Sequence, residues 1–266
     1  MIRETVTSAS NPKIKNLLLL QEKSKARREQ GLFVVEGRRE LEHCIAAGFT
    51  VRTVFVCPEI AVIPSHPSVI PSGVEGSHII EIPEHLYRKV AYRESTEGII
   101  AEVEYRSLAL EDLALPENPL VMVLESVEKP GNLGAVLRSA DAAGAAAVII
   151  CDPLTDLFNP NLIRASIGAV FTVPVVAAPS AQVIPWLKAR GIQILTAQLQ
   201  DSSLYYDVDM RGGTALVMGT ESTGLTPAWR QAADRHIRIP MLGRLDSLNV
   251  SVSAAILLYE AVRQRQ

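Results

Sequence analysis

The chain has 266 residues, 48% of them hydrophobic, and a net charge of −3 at pH 7. That is ample apolar material for two packed cores, and it excludes a chain that is basic over its whole surface. No apolar run approaches the roughly 20 residues that span a bilayer, the opening stretch MIRETVTSASNPKIKN lacks a signal-peptide core, and the three cysteines (Cys44, Cys57, Cys151) have neither disulfide-framework nor zinc spacing; a cytoplasmic protein without a metal centre or membrane contact is expected.

Ser10, Asn11 and Pro12 read as a helix start and Gly31 as its stop. The first 40 residues carry nine Lys and Arg against five Glu. Within them Lys23, Lys25, Arg27, Arg28 and Arg38 are the candidates for contacts to nucleic-acid phosphates, the alternative being a solvated helix face. Strands are predicted at Leu32–Val35, Val51–Val56, Ile79–Ile82 and Gly98–Val103, with helices at Arg38–Ala47, closed by Gly48, and Pro83–Val90. This is a βαβ rhythm in a small N-terminal α/β domain. Pro58, Pro64, Pro67 and Pro71 mark residues 58–76 as an irregular excursion. His43, His66, His78 and His85 are scattered without ligand spacing and read as surface or packing residues.

Residues 107–119, SLALEDLALPENP, read as a linker, so the expected domains are 1–106 and 120–266. Beyond it the strand candidates lose their polar alternation: Leu120–Leu124, Val148–Ile150, Thr172–Val176, Ile192–Thr196 and Ala215–Met218. Such runs suit a parallel sheet buried on both faces. Helical stretches at Leu133–Ala143 and Ala181–Ala189, and a short turn at Arg164–Val170, separate most of them. In an open α/β sheet the ligand lies at the carboxyl ends of the strands.

Three loops occupy such positions. The first, residues 128–138, places Gly131, Asn132 and Gly134 in a tight turn with Arg138 shortly after it. The second, residues 218–225, holds the carboxylate of Glu221 between Gly219 and Gly224, without a Walker lysine or a dinucleotide fingerprint. The third follows a short strand that ends at Pro240 and leads, through Gly243, Ser247 and Asn249, into an amphipathic helix from Val250. Each Asn or Ser here could equally be a plain helix cap.

N-x-G-A-x-x-R at Asn132–Arg138, G-x-E-x-x-G-L at Gly219–Leu225 and I-P-M-x-G-x-x-x-S-L-N-V-S at Ile239–Ser251 resemble, in order, the three motifs of the SpoU or TrmH family of RNA 2′-O-ribose methyltransferases. The segment Phe33–Gly48, FVVEGRRELEHCIAAG, resembles the ribosomal-protein L30e-like substrate-binding domain found in many members. The resemblance implies a C-terminal parallel-sheet SPOUT domain with a trefoil knot, a smaller L30e-like domain, S-adenosylmethionine as cofactor, RNA as partner and a homodimer. It also implies residue roles. Asn132, Arg138, Glu221, Ser247 and Asn249 form the catalytic cluster; Gly219, Ile239 and Leu248 contact the cofactor, with Thr196 at a strand end nearby.

Methyl transfer from a sulfonium needs alignment and partial deprotonation of a weakly nucleophilic hydroxyl, and no metal. No His occurs in the three loops. A guanidinium rarely gives up its proton, so Arg138 is expected to hold a phosphate and stabilise alkoxide charge rather than act as a base. Ribosomal RNA is the expected substrate; a tRNA ribose methyltransferase and a non-catalytic RNA-binding or assembly protein are the alternatives.

Overall fold

A computed structural model of the chain describes residues 2–61, 77–92, 97–220 and 222–266. The expected Pro-rich excursion beyond residue 61, His66 within it, and Glu221 lie outside the described residues. The chain divides into two compact units, residues 1–106 with 156–172, and residues 107–155 with 173–266.

The first unit begins with β1 (Ile2–Thr5), α1 (Pro12–Glu22) and α2 (Ser24–Gln30). Asn11 caps α1 by accepting from the Lys13 N–H at 2.9 Å, and Ile14, Leu17 and Leu20 bury one face of it completely. Each such burial contributes about 1.5–3 kcal/mol. The single helix expected up to Gly31 is two helices, because Lys23 is extended (φ −110°, ψ 109°) and serves as the end of one and the start of the next. Gly31 does close α2, with φ +64°. Then follow β2 (Leu32–Glu36), α3 (Arg38–Ala46), β3 (Val51–Val56), β4 (His78–Glu81), α4 (Glu84–Val90) and β5 (Ile99–Glu104).

These strands form one mixed sheet in the order β1-β4-β3-β5-β2. The βαβ reading of β2, α3 and β3 is modified: both strands pair antiparallel with β5, which lies between them. The β1 strand, too short and polar to stand out in sequence, pairs parallel with β4.

The second unit starts with β6 (Leu120–Glu125), α5 (Pro130–Ala142) and β7 (Ala147–Cys151). The chain then supplies α6 (Pro160–Ser166) and α7 (Ala169–Thr172) to the first unit, where Phe158 stacks on Phe33 at 4.2 Å between ring centres and Phe171 lies 6.0 Å from it. Positive φ values at Ile167 and Gly168 separate the two helices. The strand expected at Thr172–Val176 is therefore displaced to β8 (Val175–Ala178), after Pro174.

Next come α8 (Ser180–Ala189), β9 (Gln193–Ala197), the two-residue β10 (Ser203–Leu204), β11 (Thr214–Met218), α9 (Pro227–Ala232), β12 (Arg235–Arg238) and α10 (Val250–Arg265). All neighbouring strands in the order β10-β12-β9-β11-β6-β7-β8 pair in parallel. Val121, Val123, Ile149, Ile194, Ala215 and Val217 are all buried in it. The registers Met218↔Leu124, Val217↔Thr196 and Thr196↔His236 bring the carboxyl ends of β6, β9, β11 and β12 to one edge. The loops that leave this edge carry the three motifs.

Candidate active site

The loop after β11 is shaped by backbone. A Cβ placed on Gly219 would lie 2.3 Å from the carbonyl carbon and oxygen of Gly224 and 2.6 Å from the Leu225 nitrogen. Only a hydrogen fits there. The Gly224 N–H donates to the Thr220 carbonyl at 3.1 Å, and Gly224 itself has φ +66°. The loop's exit is pinned from the neighbouring strand: Glu125, buried at the end of β6, accepts from both the N–H and the hydroxyl of Thr226, at 2.8 and 2.7 Å. Sequence reasoning missed Glu125, although a carboxylate ending an apolar strand demands partners wherever it is buried.

The first and third loops are joined directly. The Asn249 amide donates to the Asn132 side-chain oxygen at 3.1 Å across 117 positions of sequence. Asn249 also caps α10, accepting from the N–H and hydroxyl of Ser251 at 2.9 and 2.6 Å. Capping the helix therefore does not prevent this residue from contacting the first loop. Asn132 lies in the first turn of α5, which starts at Pro130 rather than Leu133, so the expected tight turn is helix.

Two clefts share Gly219, Thr220, Ser222 and Val250 in their lining. The larger, about 370 Å³, is lined by the sequence-expected Gly219, Ile239, Ser247 and Leu248, with Gln198, Met218, Met241 and Arg230 among the others. The smaller, about 170 Å³, adds Asn132, Lys129 and Glu128 to the shared residues. Ser247 is exposed and donates to Asp246 at 3.1 Å.

Thr196 does not line either cleft. It is wholly buried in β9, its hydroxyl 2.6 Å from Nδ1 of His236 on β12, and the next residues, Ala197 to Leu199, face the larger cleft instead. Arg138 lines neither cleft; it is exposed on α5. Six positions beyond Asn132, it lies about 240° further round the helix. Among the described residues no His, Cys, Asp and Glu cluster is arranged to hold a metal.

Of the expected phosphate contacts, Lys23, Lys25 and Arg28 are exposed, with Lys25 3.6 Å from Glu29. Arg27 is not available. Its guanidinium is 1% exposed, pairs with Asp156 at 2.7 Å and donates to the carbonyls of Leu20 and Gln21 at 2.6 and 3.1 Å. Arg38 is half-buried and tied to Glu42 at 2.7 Å.

The profile of the SpoU rRNA Methylase family matches residues 119–259. The chain belongs to the SpoU rRNA methylase family. A second profile, the MRM3-like substrate binding domain, matches residues 11–101. Among SpoU relatives, the Bacillus subtilis 23S rRNA (guanosine(2553)-2′-O)-methyltransferase RlmP is 31% identical over 96% of this chain and 97% of its own. The Bordetella pertussis 23S rRNA (guanosine-2′-O-)-methyltransferase RlmB is 42% identical over 64% of this chain and 71% of its own. An AdoMet-bound rRNA methyltransferase from Sinorhizobium meliloti superposes with a TM-score of 0.89 at 31% identity, covering 98% of each chain. The three SpoU motifs are thus the three loops that meet at the two clefts.

Proposed function

We propose that this protein is an S-adenosylmethionine-dependent methyltransferase of a ribose 2′-hydroxyl in ribosomal RNA. The observation that carries the reading is the meeting of all three SpoU motifs at the carboxyl edge of one parallel sheet, with Asn249 bound to Asn132 beside a cleft of ligand size. The cleft fits the cofactor chemically. It offers apolar walls from Ile239, Met241 and Leu248, the Arg230 guanidinium, and a buried Gln198 side-chain oxygen with no hydrogen-bond donor of its own. Gly219, Ile239 and Leu248 would hold S-adenosylmethionine, which supplies an electrophilic methyl group.

The adjoining cleft would take the ribose, with Asn132 and Asn249 orienting it. Such alignment can supply a large part of the gain over the solution reaction. The ribose hydroxyl would give up its proton to solvent water as its oxygen takes the methyl group, and negative charge would grow on that oxygen meanwhile. Arg138 is assigned to that charge, and Glu221 and Ser247 complete the catalytic group.

The reading includes a homodimer in the cytoplasm. Leu242, Leu245, Val252 and Tyr259 leave 96%, 76%, 47% and 50% of their surface exposed on the third loop and α10, apolar side chains that a second copy would cover. Because α5 packs on α10, a second copy docked there would meet the α5 side of the site, where Arg138 is exposed. Among the described residues no helix is long and apolar enough to cross a membrane. Residues 1–106 with 156–172 are assigned to RNA binding and 120–155 with 173–266 to methyl transfer; the expected linker 107–119 packs as part of the second unit, with Leu110 buried in its core.

The test is calorimetry with S-adenosylmethionine followed by single-turnover methylation of ribosomal RNA transcripts. Micromolar binding, roughly −8 kcal/mol, and a ribose-methylated product are expected. No binding heat, or methyl transfer to a base instead of a ribose, would overturn the reading.

A further inference from the structure

The first unit has a cavity of its own, about 200 Å³, far in composition from a simple cationic groove. Its floor is apolar, from Val34 on β2 and Ile163 on α6. Over it lies the half-exposed ring of Tyr92, with the Arg164 guanidinium stacked 4.7 Å from the ring centre and fixed by the Asn161 side chain at 3.1 Å. The Tyr92 backbone is held in turn: its N–H donates to the Glu36 carboxylate at 2.8 Å.

The rim pairs opposite chemistries. Glu97 accepts the Arg38 N–H at 2.6 Å, and buried Glu40 accepts from Arg39 at 3.0 Å. Gly37, between strand and helix, has φ +100°, and a Cβ on it would lie 2.7 Å from the Glu40 carboxylate. The glycine thus keeps both the turn and the Glu40 carboxylate in place.

We infer that this cavity receives an unpaired guanine base of the RNA. An aromatic ring and a planar guanidinium are the side chains on which splayed-out RNA bases stack. Guanine presents two kinds of edge: O6 and N7 accept from a guanidinium, while N1–H and N2–H donate to a carboxylate. Arg39 and Arg164 match the first, Glu40 and Glu97 the second. A site for phosphate alone would not set carboxylates at its rim, since they repel it. The inference rests on the reading of the first unit as the RNA-binding part, and it replaces a purely electrostatic grip with a base-selective one.

Fluorescence anisotropy with 5′-labelled oligoribonucleotides U9, U4GU4 and U4AU4 tests it on the full-length protein. The expected result is binding of U4GU4 at least fivefold tighter than either of the others. Tyr92→Ala and Arg164→Leu should bring U4GU4 down to the U9 level, while Tyr92→Phe keeps the preference; affinity for S-adenosylmethionine should not change in any of them. Equal affinity for the three oligonucleotides, or a preference that survives Tyr92→Ala and Arg164→Leu, would overturn the inference. If U9 still binds and weakens in Lys25→Glu/Arg28→Glu, only the base pocket falls; if none of the oligonucleotides binds, the RNA-binding role of the first unit falls with it.

Discussion

The two units bring their residues together by opposite means. In the second unit every strand pair is parallel, so all seven carboxyl ends face one edge, and the loops that leave β6, β11 and β12 there converge. Its loops are set by close backbone approach of Gly219 to Gly224 and by a cap residue, Asn249, whose side chain reaches Asn132. In the first unit the sheet is mixed, with strand ends divided between two edges. What organises it is long-range side-chain contact, above all Arg27 with Asp156 and Phe33 with Phe158. Parallel topology positions a site through the chain's course; mixed topology leaves that task to particular side chains.

The contrast predicts that substitutions in the first unit unfold it and those at the second unit's site disable it. The largest expected effect is Asp156→Ala. It leaves the Arg27 guanidinium buried and unpaired, a loss of about 3–5 kcal/mol. The first unit should melt at lower temperature in calorimetry while affinity for S-adenosylmethionine is retained; an unchanged melting profile would show that the pair is not what holds the unit.

Arg138→Ala comes next. An exposed Arg removed from a helix surface costs stability about 0–1 kcal/mol, whereas loss of a group that stabilises transition-state charge lowers turnover on the order of a hundredfold. Single-turnover rates should fall by that factor at an unchanged melting temperature. Mixing Arg138→Ala with Asn132→Ala should restore part of the activity if one copy supplies Arg138 to the other's site, and no restoration places both residues in the same copy's reaction. A smaller change is expected from Lys25→Glu/Arg28→Glu: about tenfold weaker RNA binding and a flatter dependence on salt, with Arg27 now left out because its reversal would test folding.

The smallest effect tests the first unit's interior. Glu102 on β5 is buried, and desolvation raises its carboxyl above the ordinary range, opposed by hydrogen bonds from Thr53 and Asn16. An acid with a raised folded-state pKa favours the folded chain while it is protonated, and that advantage is lost as pH rises past the unfolded value toward the folded one. Glu102→Gln should therefore raise the melting temperature by on the order of 2 °C at pH 8 and leave it unchanged near pH 3. A gain of the same size at both would assign the effect to packing.

How far the sequence could be read divides along the same line. The parallel strands, the three loops and the start of α10 at Asn249 were legible because buried runs, glycines and caps act locally. Family resemblance then gave Gly219, Ile239 and Leu248 their places in one cleft. What local pattern cannot carry is a partner far away. Arg27 reads as one more cation in a basic helix until Asp156, 129 positions on, turns it inward. Thr196 reads as a strand-end hydroxyl until His236 on the next strand takes it. The Thr172–Val176 run has strand composition, yet Thr172 ends α7, whose Phe171 packs near Phe33 of the first unit's sheet.

The passage of α6 and α7 into the first unit also bears on how the protein comes off the ribosome. When residue 106 has been made, Phe33 lacks Phe158 and Phe171, and the Arg27 guanidinium has no carboxylate. The first unit is then a sheet with an uncovered aromatic face and a solvent-seeking charge, and it remains so until residue 172 has emerged. By that time β6 and β7, which belong to the second unit, are already out. The order of synthesis is therefore not the order of completion: the N-terminal unit waits for the C-terminal half to begin, and a nascent chain stalled before residue 156 would expose that face to chaperones.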